Sequence, residues 1–394
     1  MKDRIGIVVY ANPDYLPPVI NTINILDKEF NLIVVCRNQD KPQLTYPGNT
    51  RLFRLGSLKT AREKEIQAWP MKAFEFISFT IRAIFYIRRY GCRLVYSYDM
   101  HGFFSGFLAS YLGKKIPHIY HNLDIMEISM REGLSFLIRK FELVFTRYAD
   151  KIVFPDKYRA IMFQKQVHLK SAPRIVINAP MSIRRLPAKN MLREILDSKG
   201  IDKNIKVLLF QGALVERNCV LYLIRALALC PEDTMLVLLG WGTEDFLESS
   251  YKLIQSLGLE KRCLHIPFVP YSELFSYTIG AYLGFALYKE TDHNKLYEAG
   301  ASNKIFEYFS LGIPAVVSSD AVFRRTIDES LVYFVESYSP EGIAKTVSLA
   351  LSNSEEYIRK SQACRKAHLL KYNYEEQFSQ ISKYIREIVQ RNKS

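Results

Sequence analysis

Lys304 and Glu307, in the stretch EAGASNKIFEYFSLGIPAVVSSD (298–320), offer the most definite chemistry in this 394-residue chain. A three-residue spacing puts a cation and a carboxylate on one face of a helix. Ser302 stands where an N-cap belongs, Asn303 to Leu311 carry the helix, and Gly312 and Pro314 stop it. The free amides of Asn303, Lys304 and Ile305 would then point out of the helix start, where they suit a phosphate. A lysine in the first turn opposes the helix dipole, and an anion in front of it removes that conflict. Glu307, one turn further on, can accept hydrogen bonds from a sugar diol. The alternative is a solvated i,i+3 pair on an ordinary amphipathic helix.

The elements that must position these residues alternate twice over. Apolar runs at Ile5–Tyr10, Leu32–Cys36, Leu94–Tyr96, Ile116–Tyr120, Ile152–Phe154 and Ile175–Ile177 read as strands, with helical segments between most of them. One long helical pattern, Glu63–Tyr90, is expected to break at Pro70. After a polar linker at Asn178–Lys189 the pattern restarts with Val207–Phe210, Met235–Leu239, Leu264–Ile266, Tyr282–Leu287, Ala315–Val317 and Val332–Phe334. Such alternation predicts an α/β fold of parallel, doubly wound sheets. The first strand leads into Ala11-Asn12-Pro13-Asp14 and not into G-x-G-x-x-G, so a nucleotide belongs to the second half. A closing helix, Tyr374–Val389, shows Phe378, Ile381, Ile385 and Ile388 on one face, with Asn373 and Glu376 as a capping pair.

The string SNKIFEYFSLGIPAVV resembles the donor-nucleotide segment of family 4 glycosyltransferases, which are retaining enzymes with the GT-B fold. The resemblance implies two Rossmann-like domains facing a central cleft. The divisions are 1–183 for the acceptor, 190–370 for the nucleotide sugar, and 371–394 for a helix that crosses back onto the first domain. It also implies that Ser302, Asn303 and Lys304 meet the donor diphosphate and Glu307 its ribose. Gly212 in FQGAL stands where the family has a glycine followed by basic residues. Here Asn218 occupies the usual basic position, Arg217 precedes it, and Ala213 replaces a frequent arginine. Gly240 and Gly242, in Gly240-Trp241-Gly242, resemble the family's glycine loop beside the base, and could equally form a plain tight turn. Val269, in Pro267-Phe268-Val269-Pro270-Tyr271, falls in the loop that often flanks the nucleobase. On the acceptor side the resemblance selects His121, at the carboxyl end of a strand, with Asp99 and His101 behind it and Asp124 further back. The family's first acidic residue is missing: Ala299 holds its position and Glu298 lies one place off.

Composition narrows the setting. Hydrophobic residues at 48% and charged residues at 24% describe a globular protein. Six cysteines without a C-x-x-C pair read as thiols in a reducing compartment. The opening MKDRIGIVVYANPDY reads as a first strand, too short in its apolar run for a signal peptide, and no run reaches a membrane span. Residues 1–190 carry 30 Lys and Arg against 15 Asp and Glu, whereas the remainder carries 24 against 25. Aromatic residues are interleaved with that basic charge, as in FEFISFTIRAIFYIRRY. Without a nucleic-acid motif, the expected partner of this field is an anionic membrane surface; packing helices with a solvated basic face are the alternative. With no D-x-D-type cluster, no metal and no cofactor are expected. The expected function is sugar transfer from a nucleoside-diphosphate sugar to a glycan or lipid-linked acceptor, by a cytoplasmic protein peripheral to the inner face of the membrane. The rivals are a nucleotide-sugar epimerase on the same fold and a catalytically silent glycan- or membrane-binding subunit.

Overall fold

The computed structural model describes residues 2–40, 44–60, 63, 66–125, 133–288 and 299–391. The chain divides into two compact units, one of Met1–Ile177 with Gln377–Ser394 and one of Asn178–Glu376. Each is a parallel sheet wound with helices, the Rossmann-like arrangement expected from the alternation.

In the first unit the strands are β1 (Arg4–Val9), β2 (Asn31–Gln39), β3 (Thr50–Lys59), β4 (Leu94–Tyr98), β5 (His118–His121), β6 (Lys151–Phe154) and β7 (Arg174–Ile175). They lie in the order β3-β2-β1-β4-β5-β6-β7. The inner strands are buried on both faces because helices cover both. Edge strand β3, RLFRLGSLK in its body, is half-buried to exposed and lacks the continuous apolar run that betrays a buried strand. The long helical pattern is interrupted just ahead of Pro70, at residues 66–68. Helix Trp69–Arg89 starts one residue before Pro70 and takes the proline into its first turn, where a missing N–H costs nothing. The closing helix, Tyr374–Arg391, is capped by Asn373, whose Oδ1 accepts from the Glu376 N–H at 3.0 Å. Its Phe378, Ile381, Ile385 and Val389 are buried, with Phe378 packed near Tyr96.

The second unit has β8 (Lys206–Gln211), β9 (Thr234–Leu239), β10 (Cys263–Ile266), β11 (Leu283–Ala286), β12 (Ala315–Ser318) and β13 (Val332–Val335), in the order β10-β9-β8-β11-β12-β13. Helix Asn303–Ser310 connects β11 to β12 and is seated by one steric fit. Gly284 of β11 has no side chain, and a Cβ there would lie 2.3 Å from the Tyr308 ring. Tyr308 fills that space, and its hydroxyl reaches the sheet backbone. It lies 3.3 Å from the carbonyls of Leu209 and Phe285 and accepts from the Gln211 N–H. The far end of the helix is held by Ser361, whose hydroxyl donates to the Gly312 carbonyl at 2.6 Å, and by Arg365, which donates to the Ser310 carbonyl.

Among the described residues all six cysteines are buried free thiols, and no helix is long and apolar enough to cross a membrane. The seating of Tyr308 predicts that Gly284→Ala destabilises the fold by about 1–3 kcal/mol, the usual cost of overpacking a tight site. Thermal unfolding checks this; an unchanged Tm would mean that the ring does not depend on that hollow.

Candidate functional site

The carboxyl ends of parallel strands are where such sheets carry ligands, since helix starts and loops gather there. At the end of β8 the chain turns through Gln211 and Gly212, the latter with φ of +121°. Gly240, at the end of β9, has φ of +149° and approaches so closely that a Cβ there would stand 1.9 Å from the Gly212 carbonyl oxygen. Both glycines are therefore required by backbone conformation and close approach, beyond any wish for a turn. Gly242 is packed as tightly, its added Cβ falling 2.9 Å from the Leu214 carbonyl oxygen. Main-chain bonds tie the turns together: Gly212 N–H to Leu239, Leu214 N–H to Trp241 and Gly240 N–H to Ile266. His265 of β10 adds a side-chain tie, its Nε2 lying 3.0 Å from the Gly240 carbonyl oxygen and its Nδ1 2.6 Å from the Tyr251 hydroxyl.

Helix Asn303–Ser310 brings Lys304 against this turn. The Lys304 Nζ lies 5.0 Å from the Tyr288 ring centre and 5.6 Å from that of Phe210, and would stand 3.5 Å from a Cβ on Gly212. Ser302 occupies the N-cap position but makes no capping bond. Its hydroxyl pairs with the Tyr288 hydroxyl at 2.6 Å, and both side chains are buried. The expected Ser302 cap is thus drawn off by a buried tyrosine, and among the described residues no side chain caps the helix start. Asn303 Oδ1 is buried without a hydrogen-bond partner. That is an acceptor placed at the tip with its capacity unused.

Glu307 lies one turn along and is 4% exposed. Gln211 Nε2 donates to its Oε2 at 2.6 Å, and the Thr278 hydroxyl donates to Gln211 Oε1 at 2.8 Å. The same hydroxyl lies 2.9 Å from the Leu274 carbonyl oxygen, so Thr278 ties Gln211 to the helix Tyr271–Thr278. Burial pushes the Glu307 pKa up to about 7; the Gln211 bond and the Lys304 charge pull against it and lose. The carboxyl group is held away from bulk solvent, at the edge where protonated and ionised forms balance near neutral pH.

Around this centre the remaining candidates separate. Asn218 is buried with its amide donating to the Ala213 carbonyl at 2.7 Å, so it braces the loop after β8. Arg217 beside it is exposed. Val269 is half-buried just past β10, between Phe268 and Pro270, and Trp241 and Phe268 are exposed. Ala299 is buried, while Glu298 lies outside the described residues. Sequence reasoning did not select Gln211, Thr278, Tyr288, Tyr308 or His265. Gln211 stood in a motif already singled out, FQGAL, and its position at a strand's carboxyl end was the available signal.

In the first unit His121 ends β5, fully buried. Its Nδ1 lies 2.9 Å from the Tyr96 hydroxyl, its ring stacks on Tyr98, and its Nε2 has no hydrogen-bond partner. Burial pushes its pKa down to about 3, so the imidazole is neutral. Asp99, at φ of +53°, uses its carboxylate to accept from the Leu123 and Asp124 N–H groups, and burial raises its pKa to about 7. His101 stacks on Tyr10, and Asp124 pairs with Arg159 at 3.2 Å. These three brace the turn after β5 and the start of the helix after β4. Among the described residues no group of three or more His, Cys, Asp or Glu could hold a metal ion.

Residues 193–367 match the family model described as glycosyl transferases group 1, a span that contains the whole constellation around Gly212, Lys304 and Glu307. No curated protein matches the chain by sequence. The fold is close to those of several solved structures. Alr3699/HepE from Anabaena, solved in complex with UDP-glucose, superposes with a TM-score of 0.72 at 14% identity, covering 98% of this chain and 99% of that one. Sucrose-phosphate synthase from Thermosynechococcus elongatus gives 0.74 at 13% identity over 98% and 99% of the two chains. A glycosyltransferase from Rickettsia africae gives 0.73 at 12% identity over 98% of each. At these identities the likeness establishes the fold, which is GT-B.

The raised Glu307 pKa sets a pH dependence. Between its ordinary 4.5 and about 7 the folded protein keeps a proton that the unfolded chain has released. Stability due to this group therefore falls as pH rises through that interval and is level above it. Relative to Glu307→Gln, the wild type should lose on the order of 3 kcal/mol across the window. Paired thermal unfolding from pH 4 to 9 measures the difference, and a flat difference would place the carboxyl group in solvent.

Proposed function

We propose that this protein is a glycosyltransferase that moves a sugar from a nucleoside-diphosphate sugar to a lipid-linked or polysaccharide acceptor. The observation that carries the reading is the uncapped start of helix Asn303–Ser310, with Lys304 laid over Gly212 and Glu307 buried one turn on. Its support is chemical. A pyrophosphate set against the helix start meets backbone N–H groups, the positive end of the dipole and the Lys304 ammonium. Gly212 leaves room for a close approach of that phosphate to the backbone. A ribose diol can donate to Glu307, which Gln211 and Thr278 hold in one orientation.

When the glycosidic bond to the leaving phosphate breaks, negative charge grows on the diphosphate. Fixed dipoles and a cation already aimed there stabilise it without reorganising. The protein's own groups can thus supply what a divalent ion supplies in other transferases, and we read the reaction as metal-independent and retaining. Trp241, Phe268 and Val269, just past the ends of β9 and β10, are the surfaces on which a base would rest. In the first unit the reading keeps His121 for the sugar and acceptor, through an uncharged imidazole with one nitrogen unpartnered. It also places the protein at the inner face of a membrane, through the basic charge of the first half.

The test is direct. The purified chain is soaked with UDP-, GDP- and other nucleotide sugars, bound donor is identified by mass spectrometry, and transfer is followed with lipid-linked and glycan acceptors. Lys304→Met should weaken binding of the matching nucleoside diphosphate about tenfold or more, as expected for a lost charge-assisted hydrogen bond. Glu307→Ala should abolish turnover while leaving the fold intact by circular dichroism. Full turnover in Glu307→Ala would overturn the assignment, and donor binding without turnover across the acceptors would point to a binding subunit.

A further inference from the structure

Helix Trp69–Arg89 is apolar on two opposite faces. Phe76, Phe79, Ala83 and Ile87 are buried against the sheet of the first unit. On the other side Phe74, Ile77, Ile81 and Phe85, spaced by three and four residues, are each 54–68% exposed. Met71 and Trp69 continue the row at the helix start and are equally open. A helix on a globular surface turns polar residues outward. Single exposed apolar side chains are ordinary, but a contiguous row of large ones marks a surface that meets something else.

Charge says what it meets. The helix carries four bases, Lys72, Arg82, Arg88 and Arg89, against one acid, Glu75. That acid is turned inward and neutralised by Arg37 at 3.3 Å and Lys59 at 3.6 Å. Arg82 and Arg89 are exposed and edge the apolar row. The helix Leu134–Phe145 lies in the same layer, joined through Phe104 of the helix between them. It repeats the composition, with Leu137 and Val144 exposed beside Lys140 and Arg147. A second copy of this chain on the same face would set basic rim against basic rim, which disfavours self-association.

A cavity of about 420 Å³ opens along the edge of this helix. Met71, Phe74, Glu75, Ser78 and Arg82 form one wall, and on the strand side stand Arg37 and Lys59, both paired with Glu75, and Arg54, paired with Asp14 at 2.9 Å. A row of large apolar side chains bordered by exposed arginines is the pattern that an interfacial helix presents to lipid: acyl chains over the row, headgroup phosphates beside Arg82 and Arg89.

We propose that the outer face of helix Trp69–Arg89 lies in the headgroup layer of an anionic phospholipid surface, with the exposed Arg82 and Arg89 at the level of the headgroup phosphates. This rests on the membrane partner named in the proposed function, and on no part of the donor chemistry in the second unit.

The experiment is flotation of the full chain with vesicles of phosphatidylglycerol and phosphatidylcholine, and of phosphatidylcholine alone, at low and high salt. Binding is expected to the anionic vesicles and to weaken with salt. Phe74→Ser with Ile81→Ser should lower partitioning more than about tenfold, since two large side chains no longer enter the interface. Arg82→Glu should lower it by roughly fivefold or more, on anionic vesicles only. Leu349→Ser, at an exposed position in the second unit, should change nothing. Lys304→Met should lose donor and keep vesicle binding, so failure of the donor reading is seen apart from failure of this one. Thermal unfolding confirms that each variant is folded, and Arg82→Glu serves alone should the double variant not be. The proposal is overturned by an absence of vesicle binding in the wild type, or by undiminished binding in the variants. It is equally overturned by an oligomer in sedimentation that Phe74→Ser with Ile81→Ser dissolves in a protein that binds no vesicles.

Discussion

Everything at the second unit's site follows from one aromatic ring in the place of a missing side chain. Tyr308 sits where a residue larger than glycine at 284 would have to be, and its hydroxyl is shared among the backbones of β8 and β11. That contact fixes both the height and the rotation of a helix only eight residues long. Once Tyr308 is pinned, Glu307 must turn toward Gln211 and Lys304 toward Gly212, because successive residues are set by the helix's own geometry. The close approach of Gly240 to the Gly212 carbonyl then settles the opposite wall. A short helix has little stability of its own, so its placement depends on this tertiary lock.

The lock carries a cost that the polar network only partly offsets. A carboxyl group taken out of water loses hydration that one amide bond and a nearby ammonium do not replace, which is why its pKa climbs. Thr278 adds little attraction to Glu307 itself. Its effect is to hold the far end of the Gln211 side chain, whose Nε2 donates to the carboxyl group. A group held in one orientation at the expense of stability is the usual condition of a residue kept for binding or catalysis.

The sequence made the repeated strand–helix order readable, because parallel strands buried on both sides must be continuous apolar runs. It also exposed Lys304 and Glu307, whose relation is purely local. Long-range partners were not readable. Tyr288 and Ser302 are fourteen residues apart, Gln211 and Glu307 ninety-six, and no spacing rule joins them. Ser302 has the right type and place for a cap, yet a buried tyrosine hydroxyl outcompetes the helix N–H groups for it. Asn218 likewise turns back to the Ala213 carbonyl, an outcome set by the tight loop and invisible in a residue string. β3 escaped notice because an exposed edge strand needs no continuous apolar face.

Helix Trp69–Arg89 shows the limit from the other side. Its string, WPMKAFEFISFTIRAIFYIRR, is apolar nearly all round, and by composition alone it could belong to a core. Only the sheet beneath it decides. β1, β2 and β4 can cover one face, and the helices beside it reach Phe76 but not Phe74, Ile77 or Ile81. The exposed row therefore does not follow from a shortage of polar residues, since Arg82 and Arg89 border it and Glu75 is spent on an inward ion pair. Basic charge and large apolar side chains sharing one surface work against each other in folding and together at a charged lipid boundary, where each contributes on its own term. The excess charge of the first half thus has a physical location, on the unit that does not contain Lys304 and Glu307.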